Sequence, residues 1–416
     1  MSELARKYMN RGELKNLVLF SAGKSVSMFA SSIYSFAIGL YVLKLTGSAL
    51  NYATTIMLHI LPMIIMSPVA GVLADKISKK KLIVGMDIAN GFLFLGLFRI
   101  SSGGGLNLST IYLTTILLSI FSSIFNVTFE AAKPNLVRPE SRLKLNSISK
   151  LIDSTTSILG PALGGVIFAV IDIQLFILVN CISFFASALS ELFIDYSYYP
   201  DQGKEDNPPF VPHMVKGLMY MLNSTVLRKA FIMFLILNFL LGFSVNVPMP
   251  YVINQVLGLS PEAFGLINSM FPIGLIIGTL TISRVLAKTT YTRILTLASC
   301  LLAILASTIG LPSMVQASEL AYGIYFSVLC VLMGILISFV DIPIISIMQD
   351  EIPSNLRGVV FGLTLSLVKV VLPISLLLSG YLVDHVPIVL IPVIGGVLSI
   401  VYPLYLLTGK KTGLPD

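Results

Sequence analysis

Charge is what this sequence has least of. Only 11% of its 416 residues are charged, whereas a soluble domain carries about 25%. With 56% hydrophobic residues and a mean hydropathy of +0.92, a water-soluble fold is excluded. Cysteine is nearly missing. Cys181, Cys300 and Cys330 all lie inside apolar stretches, so neither a disulfide framework nor a zinc spacing can be built from them. His59, His213 and His385 stand far apart without an HExxH-like pattern, and no metal or cofactor is expected. Gly23-Lys24-Ser25 ends like a phosphate loop, but Val18 occupies the place of its first glycine, which removes support for an ATP-driven pump. A nucleophile elbow with a plausible acid and base is also lacking, and an enzyme is not expected.

Long apolar runs are present instead. They fall near residues 16–43, 52–73, 82–100, 108–132, 147–170, 173–194, 229–254, 261–284, 292–311, 321–347, 358–382 and 386–408. Each approaches the ~20 residues that cross a bilayer as a helix, and none shows the ~10-residue alternation of a membrane β-strand. The fold class is therefore all-α, a polytopic membrane protein of twelve spans. Lys and Arg sort its connections. Of 27 basic residues, 23 fall before span one, within or at the edges of every second connection, or at the end; the alternate connections and their edges hold only Lys44 and Arg99. That asymmetry predicts cytoplasmic termini and a plasma-membrane location, and explains the +7 net charge without nucleic acid.

The longest polar connection, 195–228, carries Asp-Asn-Pro-Pro and then a segment from His213 to Ser224 suited to an amphipathic helix. It divides the chain into an amino-terminal bundle at 1–195, a cytoplasmic linker at 196–228 and a carboxy-terminal bundle at 229–416. Pro139 to Gly165 and Pro353 to Gly380 echo each other at nearly the same spacing. Such duplication is the usual basis of a transporter with its site between repeats.

Between spans two and three runs Gly71-Val72-Leu73-Ala74-Asp75-Lys76-Ile77-Ser78-Lys79-Lys80-Lys81. It resembles the loop signature of the major facilitator superfamily, G-x-L-A-D-R/K-x-G/S-R/K-R/K-K/R. Gly71, Asp75, Lys76 and Lys80 are the positions it marks for gating. Gly160-Pro161-Ala162-Leu163-Gly164-Gly165 in span five resembles the superfamily's antiporter motif, G-P-x-x-G-G. Gly160 and Gly164, with Pro161 bending the helix, form a small face for close packing; Gly274 and Gly278 repeat the spacing in span eight. The resemblance implies two pseudo-symmetric six-helix bundles, with spans five and eight sliding on each other. Phe129 to Val137, Leu145-Asn146-Ser147 and Val215 to Tyr220 are similar to the macrolide-efflux and enterobactin-exporter-like subgroup, which implies export of a drug, macrolide-like compound or siderophore.

Ionisable residues inside spans are costly and face a cavity or a partner. Lys24, His59, Asp153, Asp341 and Lys369 stand out. Lys24 and Asp153 lie at similar depth, ~10 Å from their helix ends at ~1.5 Å per residue, so a contact between them is expected, either static or switching. Lys369 is expected to meet Asp341 or an anionic group. Glu130, at the end of span four, reads as a loop anchor. Ser21, Ser25, Ser32 and Gly39 share one side of span one, with Ser35 nearby, which suits a wet path or close packing. Asn126, Asn238 and Asn246 complete the candidate cavity, and Pro248 and Pro250 make the outer end of span seven breakable. The expectation is a monomeric secondary exporter of an amphipathic small molecule by alternating access, with protons as coupling ion and Asp153 or Asp341 as carrier. The alternatives are a lipid or lysolipid flippase of the same fold, and a transport-inactive receptor or scaffold.

Overall fold

A computed structural model describes residues 10–199, 210–287, 289–353 and 356–408, and among these no strand occurs. Six long helices come first: α1 (Arg11–Thr46), α2 (Ala49–Lys76), α3 (Lys79–Gly104), α4 (Leu108–Leu136), α5 (Pro139–Val170) and α6 (Ile173–Leu192). The expected amphipathic helix, α7, covers Phe210–Asn223. The remaining helices are α8 (Thr225–Val256), α9 (Pro261–Leu286), α10 (Tyr291–Ser307), α11 (Glu319–Glu351), α12 (Arg357–His385) and α13 (Leu390–Thr408). Eleven are long and apolar enough to span a membrane, and the twelfth expected span, in α13, is a shorter apolar helix.

Local chemistry sets the helix ends. Asn10 and Glu13 begin α1 as half of a capping box, the Asn10 amide donating to Glu13 Oε2 at 3.3 Å. Asn107, Ser224, Ser260 and Ser318 each cap a helix by accepting a backbone N–H three residues on. Gly47, at φ +64°, makes the left-handed turn between α1 and α2. In α8 the chain widens into π-turns at Leu241–Asn246 and Val252–Val256, either side of Pro248–Tyr251. Prolines lack the N–H that a regular turn needs, so the outer end of span seven widens where a break was expected.

Residues Met1–Gly39 and Leu58–Glu205 form one compact unit; Leu40–Met57 and Asp206–Asp416 form the other. In the first, Tyr34 of α1 meets Phe94 of α3 edge-on at 4.7 Å, and Phe94 stacks on Phe184 of α6 at 5.4 Å. Nearer the start of α1, Phe20 stacks on Phe129 of α4 at 4.7 Å. Asn16 stitches this end, donating to the carbonyls of Leu136 and Asp195 at 3.0 Å each.

In the second unit, α9 and α11 cross with backbones in contact. A Cβ at Gly274 would strike the Val331 carbonyl, and one at Gly334 would strike that of Phe271. The start of α2 is held here by α12: Asp384 accepts the amides of Ala49 at 2.7 Å and Leu50 at 3.1 Å, and the Ser48 hydroxyl at 2.6 Å. A carboxylate at a helix N-terminus satisfies amides that have no partner within the helix.

Candidate functional site

Within the first unit, five helices bound a cavity of about 320 Å³. Ser27, Ser31 and Ser35 stand at successive turns of α1, and the spacing of four puts them on one face. Asp87 and Asn90 enter from α3, Ser119, Ser122 and Asn126 from α4, and His59 and Met63 from α2; Phe184 of α6 and Phe125 of α4 supply apolar wall. Hydroxyls, amides and aromatic faces together suit an amphipathic solute that needs both hydrogen bonds and apolar contact. His59 Nε2 lies 3.5 Å from Ser35 Oγ, while its buried Nδ1 has no partner. Where Pro62 interrupts α2, Ser119 and Ser123 of α4 donate to the carbonyls of His59 and Met63.

Ser32 and Asn126 line this cavity. Ser25 does not. It faces a separate, mostly apolar groove of about 310 Å³ between α1, α5 and α6, because its turn of α1 points away from Ser27. Asn238 and Asn246 belong to the second unit, where Asn238 spends an amide hydrogen on its own helix, to Phe234 O at 3.0 Å. Asn246 sits in the first π-turn.

The expected Lys24–Asp153 contact is present, at 2.7 Å. Lys24 is almost fully buried and also reaches Ser149 at 2.5 Å and Glu130 at 3.6 Å; Glu130 in turn meets Lys133 at 2.5 Å. Two acids and two bases thus form one balanced network joining α1, α4 and α5, and Glu130 belongs to it beyond any role as a loop anchor. Asp341 and Lys369 are not brought together: no ion pair joins them among the described residues, and Lys369 is exposed.

The gating positions divide. A Cβ on Gly71 would meet nothing within 4 Å. Lys76 is exposed and Lys80 half-buried, and the side chain of Asp75 lies outside the described ones. Gly160 and Gly164 lie against Ser32, Ile33 and Phe36 of α1, and Gly274 and Gly278 against Val331, Ile335 and Ser338 of α11. Each small face therefore packs on a helix of its own unit.

Two acids escaped the sequence reading. Asp87 of α3 and Glu191 of α6 are 1% and 0% exposed, and no basic side chain forms an ion pair with either among the described residues. The Ser27 hydroxyl lies 2.6 Å from Asp87 Oδ2 and 2.8 Å from Ser187 Oγ; Ser187 Oγ lies 3.0 Å from Gly23 O and 3.3 Å from Glu191 Oε1. Tyr196, just beyond α6, is near the same acids, and its burial raises its hydroxyl above the usual tyrosine range. The sequence signal was slight, a carboxyl eight residues into one apolar helix and another in the last turn of a second. Neither has a sequence neighbour that suggests a partner.

Comparison with known proteins gives the same architecture. The family model described as Major Facilitator Superfamily matches residues 20–374. Macrolide efflux protein A of Streptococcus pyogenes is 23% identical over 386 residues, 91% of each chain. The staphyloferrin A transporter of Staphylococcus aureus is 28% identical over 230 residues, 55% of this chain and 57% of that one. Among solved structures, a bacterial homologue of the iron transporter ferroportin in an inward-facing state matches 97% of this chain and 99% of its own, with TM-score 0.69 and 16% identity.

Proposed function

The chain belongs to the major facilitator superfamily and is a multi-pass membrane transporter, not an enzyme; from that premise we propose that it exports amphipathic small molecules, of the drug, macrolide or siderophore kind, by alternating access. The observation that carries this reading is the cavity of α1 to α4 and α6, whose serines and asparagines alternate with methionine and phenylalanine. Similarity along 91% of its length to a macrolide efflux protein supports the direction of transport. It works as a monomer in the plasma membrane with both termini cytoplasmic, as the distribution of basic residues argues. The bundles at 1–195 and 229–416 rock about the linker, and the glycine faces at 160/164 and 274/278 keep the moving helices tightly packed.

Export is driven by proton entry. Of the two carboxyls first suggested as carriers, Asp341 has no basic partner within ion-pair distance among the described residues, whereas Asp153 is tied to Lys24. Asp341 is therefore the stronger carrier, and Lys24–Asp153 the pair that holds α1 to α5. Reconstitution in proteoliposomes with an imposed pH gradient tests the reading against macrolides, siderophores, dyes and lysolipids. A macrolide or siderophore is expected to trigger proton flux; failure of all four classes to move with or without the gradient would overturn export.

One observation favours a second reading. The groove lined by Ser25, Phe29, Ile33, Ile167 and Phe176 is apolar and lies along the surface of the first unit, which suits an acyl chain. Transport of lysolipids alone in the same panel would make this a flippase.

A further inference from the structure

Hydrogen counting around Ser27 leads to a site that the ion-pair network does not contain. Four oxygen–oxygen contacts link Asp87, Ser27, Ser187, Gly23 and Glu191, at 2.6, 2.8, 3.0 and 3.3 Å. The three of 3.0 Å or less each need one hydrogen between their two oxygens, because lone pairs facing each other that closely repel. The two serines have one hydroxyl hydrogen apiece. The Gly23 carbonyl has none to give, so the Ser187 hydrogen goes to it. Ser27 must then donate to Ser187, which leaves the Ser27–Asp87 contact to be filled from Asp87; the longer Ser187–Glu191 contact, for which Ser187 has no second hydrogen, is open to one from Glu191. Only neutral carboxyls complete the set.

The surroundings agree. Glu191 Oε2 is buried without a partner, and so is Asn90 Oδ1, one turn from Asp87 on the cavity wall. An ionised carboxylate with an empty oxygen and no cation is the costliest arrangement in a protein interior. The titratable groups nearby do not supply that cation. Lys24 follows Gly23, but its ammonium is spent on Ser149, Asp153 and Glu130. His59 borders the same cavity and among the described residues has only Ser35 as a side-chain partner, while Tyr196 contributes a neutral hydroxyl.

We propose that Ser27, Asp87, Ser187 and Glu191 form a proton-binding site in the cavity wall, where α1, α3 and α6 converge, distinct from Asp153 and Asp341. Asp87 and Ser27 face the cavity and exchange protons with it; Ser187 relays to Glu191 behind them. The site deepens the proton-driven reading above and rests on it only for a role in transport. The presence of the proton does not depend on substrate.

Infrared spectra of the full-length protein in lipid nanodiscs at neutral pH test it without any transport assay. The expected result is a protonated-carboxyl stretch that shifts in heavy water, weakens in Asp87→Asn and in Glu191→Gln, and persists in Asp153→Asn. Ser27→Ala keeps both acids but removes the bridge, and is expected to move the band; it also serves if the acid variants fail to fold. A spectrum without that band, or with a band unchanged in Asp87→Asn, Glu191→Gln and Ser27→Ala alike, overturns the site. So does loss of the band when choline is replaced by sodium, which would mean that these oxygens take a metal cation. Intact proton-driven export without the band would refute this site alone, whereas a normal band with no export would refute only the transport reading.

Discussion

Lys24 is a buried ammonium whose neighbours are unequal. Asp153 lies 2.7 Å away and is 37% exposed; Glu130 lies 3.6 Å away and is 57% exposed. Removing the nearer partner strands a charge that water cannot reach, whereas removing the farther one takes away a largely solvated carboxylate. Asp153→Asn is therefore expected to cost about 1 to 2 kcal/mol, less than the ~3 to 5 of a fully buried pair, and Glu130→Gln under ~0.5. Thermal denaturation in detergent checks the order, and equal losses would refute the inequality. The pair was legible in the sequence because both residues interrupt apolar runs at matched depth. Asp87 and Glu191 were not, because neither has a complementary charge and the serines that join them lie on α1 and α6, 160 positions apart.

Helix packing explains why one glycine tolerates change better than another. A Cβ at Gly160 meets chiefly the Ser32 side chain, whose hydroxyl can turn aside; a Cβ at Gly274 meets the backbone of Val331, which cannot. Gly160→Ala is expected to cost about 1 kcal/mol and Gly274→Ala about 2 to 3, since relief in α9 requires a whole helix to move. Melting temperatures of the two variants decide the point. The sequence showed both faces equally well through their spacing of four. Which helix each would meet depended on how the helices cross, and spacing along one helix carries no information about that.

At the scale of the whole molecule, the division of the chain follows contacts more closely than it follows the linker. Residues 40–57, the end of α1 and the beginning of α2, group with the second unit. Asp384 caps this segment, Gln255 donates to Leu43 O at 2.9 Å, and Gly380 lets α12 approach the backbone of Ala49 and Leu50. Asp384→Ala would free two helix-start amides at a cost of about 1 to 2 kcal/mol. Hydrogen exchange at Ala49 and Leu50 is expected to quicken by roughly ten-fold; unchanged exchange would mean that Asp384 does not hold this segment.

Scarcity of charge and the length of the apolar runs were enough to determine a helical, membrane-spanning chain, because the cost of burying polar groups in hydrocarbon leaves few other folds. The loop signature and the glycine motif named its superfamily. Tertiary structure alone decided that Ser32 and Asn126 share a cavity while Ser25 faces a different groove, that Lys369 and Asp341 stay apart, and that Asp87 and Glu191 are joined through two hydroxyls. The reason is geometric: hydrogen bonds act over about 3 Å, and which side chains come that close depends on helix rotation and crossing, which apolar periodicity constrains only loosely.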